Sequence, residues 1–459
     1  MADRIDILFI GLYLAFLVFV GLRRLSDGNK DIDEYLVMGR RLALPGFVAS
    51  LVSTWYGGIL GVGEYSYKYG LSNWVVFGLP YYIGAFLFAV FLAKKARQTS
   101  LYTIPDQLEL VYDRKTSLVG AMLVFITTVP AAYVLQLGFL TETVIGIPLE
   151  YGVIGGALFS IFYIFTGGMR SDVITDRAQF ILMFSGFVIM LIFLLANYGG
   201  LAFLTQNVPP ENLTLTGGRP FTYILVWYFI ALGTLVDPAF YQRCFAAKSA
   251  GTAKKGIFIA IGFWALFDFM TTSTGLYARA IIPDLADPAA SYPLLAVKVL
   301  PGVFRSMFLL GLFATVMSTV DSFTFISGQT FGKDFIHKIW GGDVTKLTRI
   351  GLVVAGGVAV LIAIFKRSVV DIWYDLGSIS TGSLLIPLAS SFSARWKMRP
   401  GFAFLTILAG GGTIVLWMIA GYFAGQDRLW GIDPIYLGLV ISVIIFLLDR
   451  VTRKGDLNS

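Results

Sequence analysis

The chain of 459 residues holds little of what soluble proteins depend on. A single cysteine, Cys244, excludes an internal disulfide. A single histidine, His337, lies in a polar stretch and leaves no histidine cluster for a metal-dependent enzyme. Charged side chains make up 14% of the chain, against roughly 25% in a soluble domain. No Walker sequence is present, so ATP-driven machinery is not expected.

Apolar residues fill the space the charges leave, at 57% of the chain with a mean hydropathy of +0.77. Such a composition reads as an all-α polytopic membrane protein and sets aside soluble enzymes and disordered regulators. Apolar runs bounded by polar residues predict thirteen spans: 5–22, 45–67, 72–93, 117–140, 150–166, 178–196, 221–242, 255–279, 302–332, 348–365, 369–391, 402–424 and 432–449. Residues 1–459 are then one transmembrane domain. The first run reads as a retained span, since Asp3-Arg4 is a poor basic leader and no small-residue cleavage site follows.

Thirteen spans put the termini on opposite sides, and the basic residues choose between the two orientations. With the N-terminus outside, 26 of the 35 Lys and Arg fall in cytoplasmic loops and the C-terminal tail. The other nine are Arg4, Lys68, Arg219, Arg279, Lys298, Arg305, Lys366, Arg367 and Arg428. This alternation explains the net charge of +7 without a nucleic-acid partner. The location it implies is a cell membrane, inner or plasma, with the C-terminus cytoplasmic. Segments 197–220 and 280–301 read as outer gate-covering loops, and the sequon Asn212-Leu213-Thr214 as a chance occurrence.

Two spans contain interruptions. In 45–67 the run Ser53-Thr54-Trp55-Tyr56-Gly57-Gly58 precedes Gly61, Gly63 and Glu64; in 221–242 the breakers are Gly233, Asp237 and Pro238. Freed backbone groups at that depth are costly unless they meet an ion, a solute or another protein group. Two weak helices at corresponding places point to an inverted-repeat transporter with a midplane site. The halves are 45–196 and 221–391, with 5–22 before them and 402–449 after.

Five stretches carry a family resemblance. They are Asp33-Glu34-Tyr35-Leu36-Val37-Met38-Gly39-Arg40, Tyr102-Thr103-Ile104-Pro105-Asp106-Gln107-Leu108, the run Thr166-Gly167-Gly168-Met169-Arg170-Ser171-Asp172-Val173-Ile174-Thr175-Asp176, Gln242-Arg243-Cys244-Phe245-Ala246-Ala247-Lys248-Ser249, and Met317-Ser318-Thr319-Val320-Asp321-Ser322. In this order, and over about residues 5–450, the chain resembles the sodium:solute symporters, which include proline, pantothenate, sialic acid and sodium/glucose transporters. The resemblance implies thirteen helices, an outside N-terminus and a five-plus-five inverted repeat like that of the leucine transporter. It implies Na⁺ as coupling ion, held by the carbonyls of Ser53, Tyr56 and Thr315 and the hydroxyls of Ser318 and Thr319. Hard, neutral oxygens suit a sodium ion that must also leave. Asp176 resembles the family aspartate on the sodium exit path.

Asp321 lies inside an apolar run, where a charge is expensive and is usually paired or functional, and is read with Asp176 as part of the ion path. Candidates for contact with the solute are Trp55, Gly57 and Gly58 from the first broken helix, Gln136 from the fourth span and Trp227 from the second broken helix, with Trp373, Tyr374, Asp375 and Ser378 beyond them. Glu64 is expected to pair with Lys68. The resulting expectation is a sodium-coupled symporter importing a small organic solute by alternating access, with no obligate protein partner. A proton-coupled carrier using Asp321, Asp176 or Asp375 is the alternative, and a sensor on a transporter scaffold a more distant one. The solute's identity is left open by the sequence.

Overall fold

A computed structural model describes residues 3–23, 31–426 and 428–458. Arg24 and Lys30, counted above in the first basic loop, lie outside the described residues. Among the described residues the chain is helical, and its one strand-like pairing is an isolated bridge between Leu42 and Ala247. The long helices are α1 (Arg4–Arg23), α2 (Leu44–Tyr69), α3 (Trp74–Phe91), α4 (Arg114–Ile145), α5 (Leu149–Gly167), α6 (Met169–Tyr198) and α7 (Phe221–Ala246). They continue as α8 (Ala250–Ile281), α9 (Gly302–Trp340), α10 (Val344–Phe365), α11 (Val369–Ser391), α12 (Pro400–Phe423) and α13 (Pro434–Asn458).

Eleven of these, all but α5 and α11, are long and apolar enough to cross a membrane. The apolar part of α5 is the shorter Leu149–Phe165, and α11 carries Asp371, Asp375 and many Ser and Thr residues. The protein is a multi-pass membrane protein, and the count of thirteen crossings belongs with the proposals below.

Helix ends follow their local chemistry. Pro45 and Pro400 sit in the first turns of α2 and α12, where no intrahelical N–H is lost. The side chains of Asp113, Ser249 and Asp343 accept backbone N–H groups at the starts of α4, α8 and α10. Between α5 and α6 the chain turns through Gly168 at φ +58°, and a Cβ there would lie 2.5 Å from the carbonyl oxygen of Tyr35. Only glycine satisfies both demands.

Burial divides centre from rim. The apolar window of α2 is 94% buried and that of α9 is 78%, against 28% for α1 and for α13. α6 packs along α9 and the first half of α2, and α8 packs along both halves of α2. On the rim, Leu12, Phe19, Leu416, Val440 and Leu447 are exposed, a surface that hydrocarbon accommodates and water does not.

Four of the five motif stretches converge at one end of the bundle. Glu34 accepts hydrogen bonds from Arg41 at 2.5 Å and Arg170 at 2.7 Å. Arg40 donates to the carbonyls of Ser100 and Leu101, at 2.8 and 3.0 Å, just ahead of Tyr102. Leu42 exchanges backbone hydrogen bonds with Ala246 and Lys248, tying the entrance of α2 to the exit of α7. At the other end, Asn212 is buried and its amide donates to the carbonyls of Tyr67 and Lys68, which leaves its sequon no free side chain.

One boundary differs from the sequence reading in a way that matters. The sixth span was expected over 178–196, but α6 is helical from Met169. Gly168 reverses the chain early, and Asp172 and Asp176 therefore fall inside a packed helix on one face, four residues apart.

Candidate ion and solute site

Both expected interruptions are present. α2 consists of the helices Leu44–Trp55 and Ile59–Tyr69 around a 3₁₀ turn at Tyr56–Gly58. α7 consists of Phe221–Ala231 and Pro238–Ala246, joined by a 3₁₀ stretch Leu232–Val236 and an extended Asp237. The two glycines in the first break let neighbours in. A Cβ on Gly57 would lie 2.1 Å from Thr319 Oγ1, and one on Gly58 would lie 1.8 Å from the Trp373 ring.

Facing the first break, α9 presents Thr315, Ser318 and Thr319, all fully buried. Thr319 Oγ1 donates to the Thr54 carbonyl at 2.7 Å. Ser318 Oγ lies 2.9 Å from Ser53 Oγ and 2.5 Å from Asp176 Oδ1 on α6, whose other oxygen accepts from Ser50 Oγ at 2.5 Å. The Thr315 hydroxyl donates to Gly311 O at 2.6 Å, leaving its own carbonyl as the group the sequence reading assigns to the ion. The Ser53 carbonyl accepts the Tyr56 N–H across the break, and the Tyr56 hydroxyl donates to Trp264 O at 2.9 Å.

Beside these oxygens is a buried charge network that the sequence reading did not assemble. The Arg243 guanidinium reaches Asp172 at 3.2 Å, Asp176 at 3.7 Å, Ser322 Oγ at 2.6 Å and Thr54 Oγ1 at 2.9 Å. Its Nε donates to Ser50 Oγ at 3.2 Å and its Nη1 to Gln242 Oε1 at 2.9 Å. Two carboxyl groups share one guanidinium, so with both ionised the cluster is one positive charge short of neutral, and all three side chains are fully buried. A monovalent cation beside Asp176 offsets the cost of that burial. The oxygen-only donor set of hydroxyls, carbonyls and carboxylate fits Na⁺. Asp172, Arg243 and Ser322 all lie in quoted motifs; the missed signal was two aspartates at i and i+4 in a helical run.

Asp321 occupies another face of α9. Its Oδ1 accepts from Ser160 on α5 at 2.6 Å, and its Oδ2 has no hydrogen-bond partner among the described residues. No ion pair joins Asp321 to a basic residue among the described residues.

A cavity of about 200 Å³ lies between the two breaks. Trp55, Gly58 and Trp373, three of the residues expected to contact the solute, line it together with Phe77, Tyr81 and Tyr133. Trp55 stacks edge-on to Tyr81 at 5.4 Å and against Trp264 at 5.3 Å. Thr54 lines the cavity too, and its hydroxyl belongs to the charge network, so one residue joins the two sites. The acidic groups on the wall are Asp237 and Asp268. The sequence noted Asp237 only as a breaker and overlooked Asp268, whose signal was an isolated carboxylate within the apolar run of α8.

The remaining candidates have other partners. Gln136 Oε1 accepts the Leu60 N–H at 2.9 Å and its Nε2 donates to Ala132 O at 3.1 Å, so its amide is spent on the broken helix. Trp227 packs edge-on to Phe77 at 4.7 Å, one layer behind the cavity wall. The Tyr374 hydroxyl donates to Asp433, and Asp375 is ion-paired with Lys366. Ser378 is buried and Gly57 packs on Thr319; neither lines the cavity. Glu64 pairs with Lys68 at 2.5 Å, as expected.

Comparison with known proteins agrees with this architecture. The chain is 28% identical to the sodium/pantothenate symporter of Escherichia coli (strain K12) over 95% of both chains. It is 24% identical to the sodium/proline symporter of Staphylococcus aureus (strain JH9), over 97% of this chain and 92% of that one. Among solved structures, a Na⁺-coupled sialic acid symporter in a substrate-bound outward-open state aligns over 98% of both chains with a TM-score of 0.81 at 17% identity. Mhp1, a nucleobase-cation-symport-1 family transporter, aligns over 92% of this chain and 95% of its own with a TM-score of 0.61 at 12% identity. These relatives are transporters, not enzymes. Residues 35–381 match the sodium:solute symporter family, and the chain belongs to that family.

Proposed function

We propose that this chain is a sodium-coupled symporter that imports a small organic solute by alternating access. The observation that carries the reading is the oxygen cage between α2 and α9, in which Ser318 meets Ser53 and Asp176 at 2.9 and 2.5 Å. Ser53, Tyr56, Thr315, Ser318 and Thr319 hold the sodium ion, and Asp176 marks its path toward the cytoplasm. Asp321, with one carboxylate oxygen unpartnered among the described residues, acts on the field around α9. α2–α6 and α7–α11 form the two inverted repeats, within a thirteen-crossing topology with the N-terminus outside and the C-terminus cytoplasmic.

Sodium entering the cage supplies the missing positive charge and fixes the α2 break against α9. Thr54 carries that change to the cavity wall. Coupling is then a linkage effect in which ion and solute strengthen each other's binding by the same free energy. One Na⁺ moving down ~100 mV releases about 2.3 kcal/mol, and a tenfold gradient adds about 1.4 kcal/mol. Together they sustain a roughly 500-fold gradient of a neutral solute at one-to-one stoichiometry. Proton coupling is not favoured: Asp375 is occupied by Lys366, and Asp176 sits among hydroxyls suited to a metal cation.

The test is uptake into proteoliposomes under an inward sodium gradient, over a panel of small solutes, with potassium as the control ion. Sodium-dependent accumulation abolished by collapsing the gradient supports symport; accumulation that follows a proton gradient in sodium-free medium contradicts it.

A further inference from the structure

We infer that the solute of the aromatic cavity is a small organic cation, an amine or a quaternary ammonium, and not a carboxylate. This rests on the reading of the cavity as the transport site.

Charge is the first argument. Asp237 and Asp268 line the cavity, and no Lys, Arg or His is among the described residues that do. Arg243, on the half-helix that Asp237 caps, is fully buried among Asp172, Ser50, Thr54, Ser322 and Gln242 and does not line the cavity. A carboxylate entering this space meets two acidic side chains, Asp268 already accepting from the Tyr82 hydroxyl, and no basic side chain to pair with.

The second argument concerns backbone donors. In broken-helix transporters the half-helix N-termini are where an anionic group is held. Here both are occupied by the protein itself. Asp237 Oδ1 accepts the N–H groups of Ala239 and Phe240 at 2.7 and 3.4 Å, capping Pro238–Ala246 with a negative charge. Gln136 Oε1 accepts the Leu60 N–H at the start of Ile59–Tyr69 at 2.9 Å. The cap on Asp237 uses Oδ1, and Oδ2 has no hydrogen-bond partner among the described residues.

The walls supply the third. Trp55, Tyr81, Phe77, Tyr133 and Trp373 surround the space, with Trp55 and Tyr81 5.4 Å apart and Phe77 and Trp373 6.0 Å apart. Ring faces beside carboxylates attract an ammonium group by charge and quadrupole together. A volume of about 200 Å³ accommodates a small ammonium compound.

The test compares choline, tetramethylammonium and putrescine with pantothenate, proline, sialic acid and glucose. Thermal stability of the purified protein in NaCl and in KCl reports binding, and solute-evoked current in proteoliposomes reports transport. The cations are expected to stabilise the protein and to evoke sodium-dependent current, and the carboxylates and the sugar to do neither. Asp237→Asn keeps a good helix cap and Asp268→Asn keeps a hydrogen-bond acceptor. Each is expected to weaken cation binding by roughly tenfold or more while the stabilisation by sodium alone persists. Sodium-dependent current evoked only by a carboxylate or sugar overturns the cation assignment and leaves symport standing. Cation transport that ignores sodium supports the assignment and removes the symport reading. Absence of stabilisation by every cation, or cation binding unchanged in both variants, overturns it.

Discussion

Ser318 Oγ on α9 lies 2.5 Å from Asp176 Oδ1 on α6, and the same hydroxyl is 2.9 Å from Ser53 on α2. Three helices thus meet at one oxygen, and a displacement of any of them alters the cage. Asp176→Asn preserves the shape of the side chain and removes its charge. The sodium concentration for half-maximal thermal stabilisation is expected to rise by about tenfold or more, about 1.4 kcal/mol per tenfold. A sodium titration of the melting temperature checks this.

Gly58 and Trp373 form a steric pair. A Cβ at position 58 would lie 1.8 Å from the indole, so Gly58→Ala is expected to cost about 1–3 kcal/mol through overpacking. Trp373→Leu on that background opens space beside the new methyl group and is expected to recover part of the loss. Thermal unfolding of the two single variants and the double variant measures the interaction.

Arg243 is buried with two carboxylates, and Arg243→Gln strands both. Breaking such a pair from one side costs roughly 3–5 kcal/mol. Asp172→Asn combined with Arg243→Gln removes one charge of each sign and is expected to be more stable than Arg243→Gln alone. Expression level and melting temperature across the cycle give the answer.

Gln136 is expected to matter for stability more than for solute choice. Gln136→Leu leaves the Leu60 N–H without its acceptor beside the α2 break, at a cost of about 1–3 kcal/mol. A lowered melting temperature with an unchanged order of solute preference is the expected pair of results.

These cases mark what the sequence could and could not say. Broken helices were legible because Gly57-Gly58 and Asp237-Pro238 are local breakers whose effect depends on few neighbours. Ser318 and Thr319 were legible through the family motif. Gln136, Trp227 and Tyr374 lie off the cavity and have other partners, which the sequence does not show: helical periodicity places a residue on a face but does not reveal what already occupies it. The Asp172–Asp176–Arg243 cluster requires α6 and α7 to be brought together, with Ser322 of α9 against them, and it depends on a start of α6 that Gly168 sets earlier than the apolar run does. Asp268 has no local breaker beside it to mark a site, because α8 is continuous.

Glu34 gives a pH prediction at the end of the bundle where the motifs converge. Burial pushes its carboxyl up, but the hydrogen-bonded guanidinium groups of Arg170 and Arg41 outweigh this and hold it below the usual carboxylate range. Its contribution to stability is therefore present above the ordinary glutamate pKa and is lost as pH falls through the lowered folded value. Melting temperatures of the native protein and Glu34→Gln are expected to differ at neutral pH and to converge in acid.

Equilibrium binding of radiolabelled sodium to the purified protein, with and without Ser318→Ala/Thr319→Ala, tests whether the ion sits between α2 and α9. Saturable binding that potassium does not displace, lost in the double variant while that protein remains folded, is the expected result. Undiminished sodium binding in the folded double variant would contradict the placement of the ion between α2 and α9.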